Sequence, residues 1–299
     1  MRLDCNRTRE VIHARLAEPL GYSGEDGLLR VGAGILEMTS VIMAGAIKRV
    51  TLERGKDTRE FALFAYGGGG PLHSAELARD LYIPLVVVPP EPGNFSATGM
   101  LLADARRGAS RTVLLSVEDG SMPAVLSEFS GLDAQLSAEL GAETGSAISI
   151  RRSVELRYRG QTHSVEVPFD GVGSGAELKA RFLTGYKARY GHVDPTNAVE
   201  LVGVRSTASA ALMGPDVERL NPAAGASGTP RPAHRPVYFS DIGRAVETVV
   251  YRRATLPIGF VANGPALIEE YGSTTLVGPR DRFEVGRLGE IRIHISPKL

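Results

Sequence analysis

The stretch FALFAYGGGGPLHSAELARDL, residues 61–81, decides the fold prediction for this chain. Its apolar start, residues 61–65, has the length of a strand that is buried on both faces. Four glycines, Gly67–Gly70, follow, and after Pro71 the apolar residues recur at helical spacing. The stretch therefore predicts a strand, a glycine turn and a helix.

The glycine turn, residues Gly67, Gly68, Gly69 and Gly70, is the first candidate binding site. A turn without Cβ atoms lets a ligand approach the main chain, and the helix that follows directs unpaired N–H groups to the same place. A phosphate, a carboxylate or the edge of a nucleoside would fit there, and a tight turn without a ligand explains the same residues. The spacing matches neither a P-loop nor a dinucleotide fingerprint.

A second unit of the same kind follows, with a predicted strand at residues 85–88, a loop, and a helix predicted from Ser96 to Arg107. Adjacent units with short connections predict parallel strands, whose ligands lie at the carboxyl ends. The glycine turn and the loop Pro89–Asn94 both lie at such ends, so they can face one ligand.

Three polar residues lie near these turns and are candidate ligand contacts. His73, in the first turn of the predicted helix, can donate to a phosphate or a substrate carbonyl, or it can cap its own helix. Asn94 and Ser96 precede or begin the next helix, where capping is the simpler explanation.

The other regular pattern before residue 108 is a long helix that begins near Ser23 and precedes the glycine unit. Its apolar stripe is predicted to pack against the sheet, and consists of Leu28, Val31, Ile35, Met38 and Ile42. Beyond residue 108 short alternating strands dominate, including a hairpin at residues 154–167. The predicted domains are therefore residues 1–107, an α/β region, and residues 108–299, a mixed region rich in antiparallel strands.

Composition excludes several classes of protein. Lysine plus arginine equals aspartate plus glutamate, 34 each, and no basic block occurs, so neither nucleic acid nor an anionic membrane is expected as a partner. The single cysteine, Cys5, fits a reducing cytoplasm. No apolar run approaches the roughly 20 residues of a membrane helix, so a soluble, cytoplasmic protein is expected. The six histidines are scattered, so the chain alone is expected to form no metal site.

Four segments resemble one known family. They are FALFAYGGGGPLHSAELARDL, VVVPPEPGNFSATGMLLAD, ELRYRGQTHSVEVP and GPALIEEYGSTTLVGP. They are similar to the hydantoinase A and oxoprolinase family, which includes subunits of acetone and acetophenone carboxylases. The resemblance implies that residues 1–107 are a partial second lobe of an actin-like, ribonuclease H-like ATPase fold. Residues 108–299 would then be a strand-rich α+β hydantoinase A domain at the C-terminal end.

The resemblance also implies a cofactor and a division of labour. Gly67–Gly70 match the family turn that contacts adenosine, with His73, Asn94 and Ser96 nearby. The first lobe, which carries the phosphate loop and the acidic residues that place magnesium, has no counterpart here. ATP and Mg²⁺ are therefore expected, with the phosphate and Mg²⁺ contacts outside this chain. Two departures stand out: four consecutive glycines in the turn, and Thr39 and Ser40 where relatives often have asparagine.

The function implied is the C-terminal part, or a split subunit, of an oligomeric ATP-dependent enzyme of the hydantoinase and 5-oxoprolinase type. Such an enzyme opens cyclic amides or carboxylates ketones. The expected partners are an N-terminal lobe or separate upstream subunit, a hydantoinase B-like subunit, and a small cyclic amide or ketone as substrate. The alternative is a non-catalytic assembly subunit or an inactive truncated remnant.

Overall fold

The computed structural model describes residues 4–212, 214 and 232–297. These residues form a mixed α/β structure with three sheets. They divide into two compact units. Unit 1 contains the described residues up to Met100 together with those from residue 232 onward, and unit 2 is Leu101–Gly214.

The α-helices and strands are numbered in chain order. The helices are α1 Cys5–Ile12, α2 Gly24–Val50, α3 Gly70–Asp80, α4 Phe95–Leu102, α5 Met122–Thr144 and α6 Gly175–Tyr190. The strands are β1 Ala62–Phe64, β2 Leu85–Val88, β3 Ala105–Ser116, β4 Ile148–Tyr158, β5 Val165–Pro168, β6 Val199–Ala210, β7 Ala233–Phe239, β8 Arg244–Arg252, β9 Val261–Asn263, β10 Ala266–Glu270, β11 Ser273–Val277, β12 Arg282–Val285 and β13 Ile291–His294.

Unit 1 is built on a five-stranded sheet in the order β1-β2-β13-β12-β9. Strands β1 and β2 are parallel, which confirms the predicted pairing of the two strand-loop-helix units. Strand β13 lies antiparallel beside β2, with Ile293 opposite Val86. This pairing places Ile291–His294 in unit 1, so the compact units divide the chain differently from the predicted boundary near residue 108. A second sheet of unit 1 has the order β11-β10-β8-β7.

Strand β1 differs from its prediction. The apolar run suggested a strand buried on both faces, but β1 has only three residues and Phe64 is exposed. The reason is its position: β1 is the first strand in the sheet order and pairs only with β2 among the described residues. Ala65, by contrast, is buried in the core of unit 1.

Helix α2 also differs from its prediction. The predicted stripe does not pack on the sheet along its length, since Met38 and Ile42 are 68% and 72% exposed. The second half of the helix instead buries Ser40 and Ala44, on its opposite side. The helix is therefore apolar on more than one face, and the face that contacts the core of unit 1 holds Ala44 together with the half-buried Met43 and Ile47.

This composition has a further consequence. By length and composition, one helix among the described residues, Gly24–Arg54, could cross a membrane. The expectation that no apolar segment approaches that length was wrong, because glycine and alanine link the apolar residues into one long helix. Such a helix near the N-terminus is weak evidence, since the core helices of soluble proteins pass the same test.

Helix α4 is shorter than predicted. It begins at Phe95 and ends at Leu102, and residues from Ala105 already belong to β3. Arg107, the predicted last residue of the helix, pairs with Ala208 of β6. The local pattern did not separate the two because the arginines and small residues of this segment suit an exposed strand as well as a helix end.

Unit 2 is an antiparallel sheet, β3-β6-β4-β5, packed against α5 and α6. The predicted hairpin is confirmed, with Val154 opposite Val167 and Leu156 opposite Val165. Phe129 of α5 and Phe182 of α6 are fully buried in its core. The hairpin was predictable because each of its strands has one apolar face at regular spacing.

Candidate functional site

Three loops of unit 1 meet at the carboxyl ends of β1 and β2. The N–H of Gly67 donates a 2.7 Å hydrogen bond to the carbonyl oxygen of Pro92, which joins the glycine turn to the loop after β2. The glycine turn and the loop Pro89–Asn94, which were expected to lie at the same end of the sheet, therefore lie side by side. The third loop is the turn Tyr271–Gly272 between β10 and β11.

The β10–β11 turn packs directly on the other two loops. A Cβ atom added to Gly68 or to Gly93 would lie 3.2 Å from the carbonyl oxygen of Gly272. Ser273 Oγ donates a 3.1 Å hydrogen bond to the carbonyl oxygen of Gly68. The segment GPALIEEYGSTTLVGP, which entered the sequence analysis only as part of the family resemblance, thus supports the glycine turn. Local sequence carried no signal for this contact, because its partners are far apart in the chain.

The four glycines serve different purposes. Gly67 has φ +85°, a conformation that residues with a Cβ rarely adopt. Gly68 is held close to Gly272. Gly69 is the N-cap of α3, a position where glycine is favoured over alanine. A Cβ on Gly69 or Gly70 would have no atom within 4 Å, so space beside these two residues is open.

A buried ion pair fixes the loop after β2. Arg253 Nη1 lies 2.9 Å from Glu270 Oε1, and both side chains are almost fully buried. Glu270 Oε2 accepts a 3.1 Å hydrogen bond from the N–H of Glu91, whose φ of +50° is unusual for a residue with a Cβ. Arg253 Nη2 also donates to the carbonyl oxygens of Val88 and Gly289. The pair thus holds the end of β2 and the start of its loop.

Burial dominates the electrostatics of this pair. It raises the pKa of the Glu270 carboxyl above its ordinary value, although Arg253 and the Glu91 N–H favour the charged form. It also lowers the pKa of the Arg253 guanidinium, against the attraction of Glu270. Both directions mean that desolvation outweighs the attraction between the partners. Arg253 Nε, also buried, has no hydrogen-bond partner among the described residues.

A cavity of about 300 Å³ lies beside this ion pair. Its lining combines acidic and basic side chains and one exposed tyrosine, and consists of Glu91, Arg252, Arg253, Ala254, Glu269, Glu270 and Tyr271. None of Gly67–Gly70 lines it, so the cavity is next to the three-loop site and does not coincide with it.

The remaining candidate residues, His73, Asn94 and Ser96, differ in burial. His73 is half-buried in the first turn of α3, as its position after Gly70 predicted. Asn94 and Ser96 are exposed at the start of α4, and neither side chain makes a hydrogen bond within the described part of the chain. The simpler explanation of Asn94 and Ser96 was that their side chains cap α4. In the described part of the chain they do not.

The described residues do not fit a magnesium site of their own. They contain no group of three or more histidine, cysteine, aspartate or glutamate side chains that could hold a metal ion. For a nucleotide the fit is partial: the open space beside Gly69 and Gly70 admits a ligand, and His73 in the first turn of α3 is a side chain that can donate to one.

Comparisons with known proteins identify relatives for nearly the whole chain. Residues 1–109 match the family model described as hydantoinase/oxoprolinase. The chain is 32% identical to an uncharacterised protein of Methanocaldococcus jannaschii, covering 94% of this chain and 39% of the relative. It is 30% identical to the caprolactamase subunit alpha of Pseudomonas jessenii, covering 93% of this chain and 41% of that subunit.

Solved structures agree with this relationship. Nucleotide-free acetone carboxylase shares the fold with a TM-score of 0.77 at 22% identity, and the ATP-dependent caprolactamase from P. jessenii has a TM-score of 0.74 at 26% identity. Each match covers 99% of this chain and 43% of the solved chain. The chain spans about two-fifths of the length of these relatives, and its residues 1–109 belong to the hydantoinase and oxoprolinase family.

Proposed function

We propose that this chain is one part of an ATP-dependent enzyme that opens cyclic amides or carboxylates ketones. The observation that carries the proposal is the match to caprolactamase subunit alpha over 93% of this chain, together with the shared fold of the ATP-dependent caprolactamase. The match to acetone carboxylase keeps ketones within the proposed substrate class.

Within that enzyme the chain supplies the adenosine side of the nucleotide site, as part of the second lobe of an actin-like fold. Gly69 and Gly70 face the ligand, and Gly67 and Gly68 hold the turn in position. His73, Asn94 and Ser96 lie beside it as secondary contacts. The open space at Gly69 and Gly70 and the hydrogen bond between Gly67 and Pro92 support this assignment.

The phosphate and Mg²⁺ contacts come from polypeptide outside this chain. ATP, when bound, supplies the driving force for cleaving a resonance-stabilised amide or forming a carbon–carbon bond. What this chain contributes is the shape and rigidity of one wall of the site. The Arg253–Glu270 pair supports the rigidity, because it fixes the loop that packs on the glycine turn.

Two protein partners are proposed. One is a polypeptide that corresponds to the part of the relatives that this chain does not span, and the other is a hydantoinase B-like subunit. Several relatives support the need for partners, because they are themselves subunits: caprolactamase subunit alpha, acetone carboxylase beta subunit and acetophenone carboxylase gamma subunit.

Phosphate release tests this function. The chain is combined with the part of the P. jessenii caprolactamase subunit alpha that it does not span and with a hydantoinase B-like subunit. ATP is then added with caprolactam, 5-oxoproline, hydantoin, acetone or acetophenone. We expect phosphate release that depends on one of these compounds. A folded complex that releases no phosphate with any of them would favour the alternative, a non-catalytic assembly subunit or inactive remnant.

A further inference from the structure

The five-stranded sheet of unit 1 has one buried face and one open face. Paired residues on neighbouring strands point to the same side of a sheet, so Phe64, Val87, Arg292 and Glu284 form a row across β1, β2, β13 and β12. The alternate residues, such as Val86 and those paired with it, lie in the core. The row therefore marks the face that α3 and the core leave uncovered.

The open face changes character across the sheet. At the β12 and β13 end, Arg292 lies 3.8 Å from Glu284 and 2.6 Å from Glu290, so these charges have partners on the surface. At the β1 end the face is apolar: Phe64 and Tyr66 are 47% and 53% exposed. Exposed apolar surface bordered by paired charges is typical of an interaction site.

The exposed rings of Phe64 and Tyr66 form a cluster with the half-buried ring of Phe95. Phe95 of α4 lies 5.3 Å from Phe64 and 5.6 Å from Tyr66, measured between ring centroids. Phe64 and Tyr66 are 6.3 Å apart. Such separations are those of aromatic rings in contact, so the cluster is a fixed surface into which another element can pack.

The edge of β1 beside this cluster is also free. No described strand pairs with the side of β1 away from β2. Native edges are normally protected by lysine, proline or a bulge, and the stretch FALFAY contains no lysine or proline. An unprotected apolar edge is suited to accepting a strand from another polypeptide segment.

The relatives indicate what occupies this surface. The fold of this chain matches both solved relatives over 99% of its own length, yet it accounts for only 43% of each of them. On the open face Arg292 and His294 each lie 3.8 Å from Glu284, and Arg282 is the remaining cation among the described residues of β12 and β13, so this face has no basic block of the kind that an anionic membrane attracts. A strand-bearing polypeptide from the remaining part of the relatives fits the free edge and the apolar cluster together.

We propose that the free edge of β1 and the cluster of Phe64, Tyr66 and Phe95 form the docking surface for the polypeptide that corresponds to the part of the relatives outside this chain. That segment adds a strand beside β1 and covers the aromatic cluster. This inference rests on the proposed function, because it assumes that the remaining part assembles with this chain into one enzyme. Helix α2, with Met38 and Ile42 exposed, is a second apolar surface of unit 1 that the same polypeptide can cover.

Light scattering after size-exclusion chromatography tests the docking surface. The purified chain is mixed with the unspanned part of the P. jessenii caprolactamase subunit alpha, and separately with that of the M. jannaschii relative. A one-to-one complex is expected with at least one of them. Phe64→Lys and Tyr66→Lys should each weaken it by about tenfold to a hundredfold, as for aromatic residues at the centre of an interface.

Leu114→Lys is the matched control, because Leu114 is 67% exposed on unit 2 and has no place on this surface. It should leave the affinity unchanged, and thermal melting should show that all three variants fold like the wild type. Equal binding by the wild type and both variants would overturn the proposal. The absence of a complex with both partners would also overturn it. So would a homodimer of this chain, or binding of this chain to anionic vesicles, if Phe64→Lys abolished that homodimer or that binding. A complex that forms as expected but releases no phosphate would contradict the proposed activity while leaving the docking surface intact.

Discussion

The carbonyl oxygen of Gly272 packs against Gly68, at 3.2 Å from the position that a Cβ atom would occupy. Gly68 therefore lacks a side chain because the β10–β11 turn lies there. A valine at this position would push against the turn and weaken the hydrogen bond from Ser273 Oγ to the Gly68 carbonyl. Loss of ligand binding in such a variant would report the packing of the loops as much as a ligand contact.

Gly68→Val is accordingly expected to lower the free energy of unfolding by about 1 kcal/mol or more, as overpacking does. Urea denaturation measures this change. Gly69→Asn is the matched control, because asparagine is a good N-cap for α3 and the space beside Gly69 is open. The idea that Gly272 restricts Gly68 would be wrong if the two variants were equally stable.

Gly67→Ala is expected to destabilise the chain through its backbone. Gly67 has φ +85°, and alanine in that region costs about 1–2 kcal/mol. The substitution should also raise the hydrogen-exchange rate of the main-chain N–H at position 67, which in the wild type donates to the carbonyl oxygen of Pro92. An alanine variant with wild-type stability and exchange would contradict the left-handed conformation assigned to this residue.

Loss of the buried Arg79–Asp281 pair should destabilise the chain far more than loss of an exposed ion pair. Arg79 Nη2 lies 2.6 Å from Asp281 Oδ2, and both side chains are buried. Asp281 also accepts hydrogen bonds from the N–H groups of Gly278 and Ser296. Asp281→Ala leaves a buried charge without its partner, which costs about 3–5 kcal/mol.

Thermal or urea unfolding of Asp281→Ala measures this loss. Arg59→Ala breaks the exposed pair between Arg59 and Asp57 and serves as the comparison, with no measurable change expected. If both variants lost the same stability, burial would not be what makes the Arg79–Asp281 pair important.

The Glu270 carboxyl should make stability depend on pH. Its pKa is raised in the folded state, chiefly by burial, so the folded chain binds this proton more tightly than the unfolded chain does. Its contribution to the free energy of unfolding is therefore largest below the ordinary glutamate pKa and declines as pH rises through the folded value.

Urea denaturation of the wild type and Glu270→Gln over a pH series tests this sign. The stability of the wild type minus that of the variant should decrease from about pH 4 to pH 7, across and above the ordinary carboxyl range. A difference that grows over the same interval would mean that the attraction of Arg253, and not burial, governs this carboxyl.

Local patterns predicted the parts of the fold that are local. The strand at Leu85–Val88, the hairpin of Val154 and Val167, and helix α3, predicted from Pro71 and beginning at Gly70, all follow from spacing along a short stretch. Hydrogen-bonding residues that are distant in sequence were not predictable in this way. The contact between Glu91 and Glu270 joins a loop to a strand far along the chain, and neither residue differs locally from an ordinary surface glutamate.

Burial was the other quantity that the pattern did not determine. The runs around Phe64 and Met38 are apolar, and apolar runs normally indicate a core. In the described residues both positions are exposed, because β1 lies at the edge of its sheet and α2 packs on the core through a different face, which holds Met43, Ala44 and Ile47. The apolar character was predicted correctly, and the identity of the surface that would cover it was not.

The most direct test of the account is the affinity of the reconstituted complex for ATP, measured by titration calorimetry with wild-type chain and with Gly69→Asn. If Gly69 faces the nucleotide, the asparagine side chain occupies ligand space. The affinity should then fall by about tenfold or more while the stability of the chain is kept, a loss of about 1.4 kcal/mol of binding free energy. Wild-type affinity in the Gly69→Asn complex would contradict the claim that this chain forms one wall of the nucleotide site.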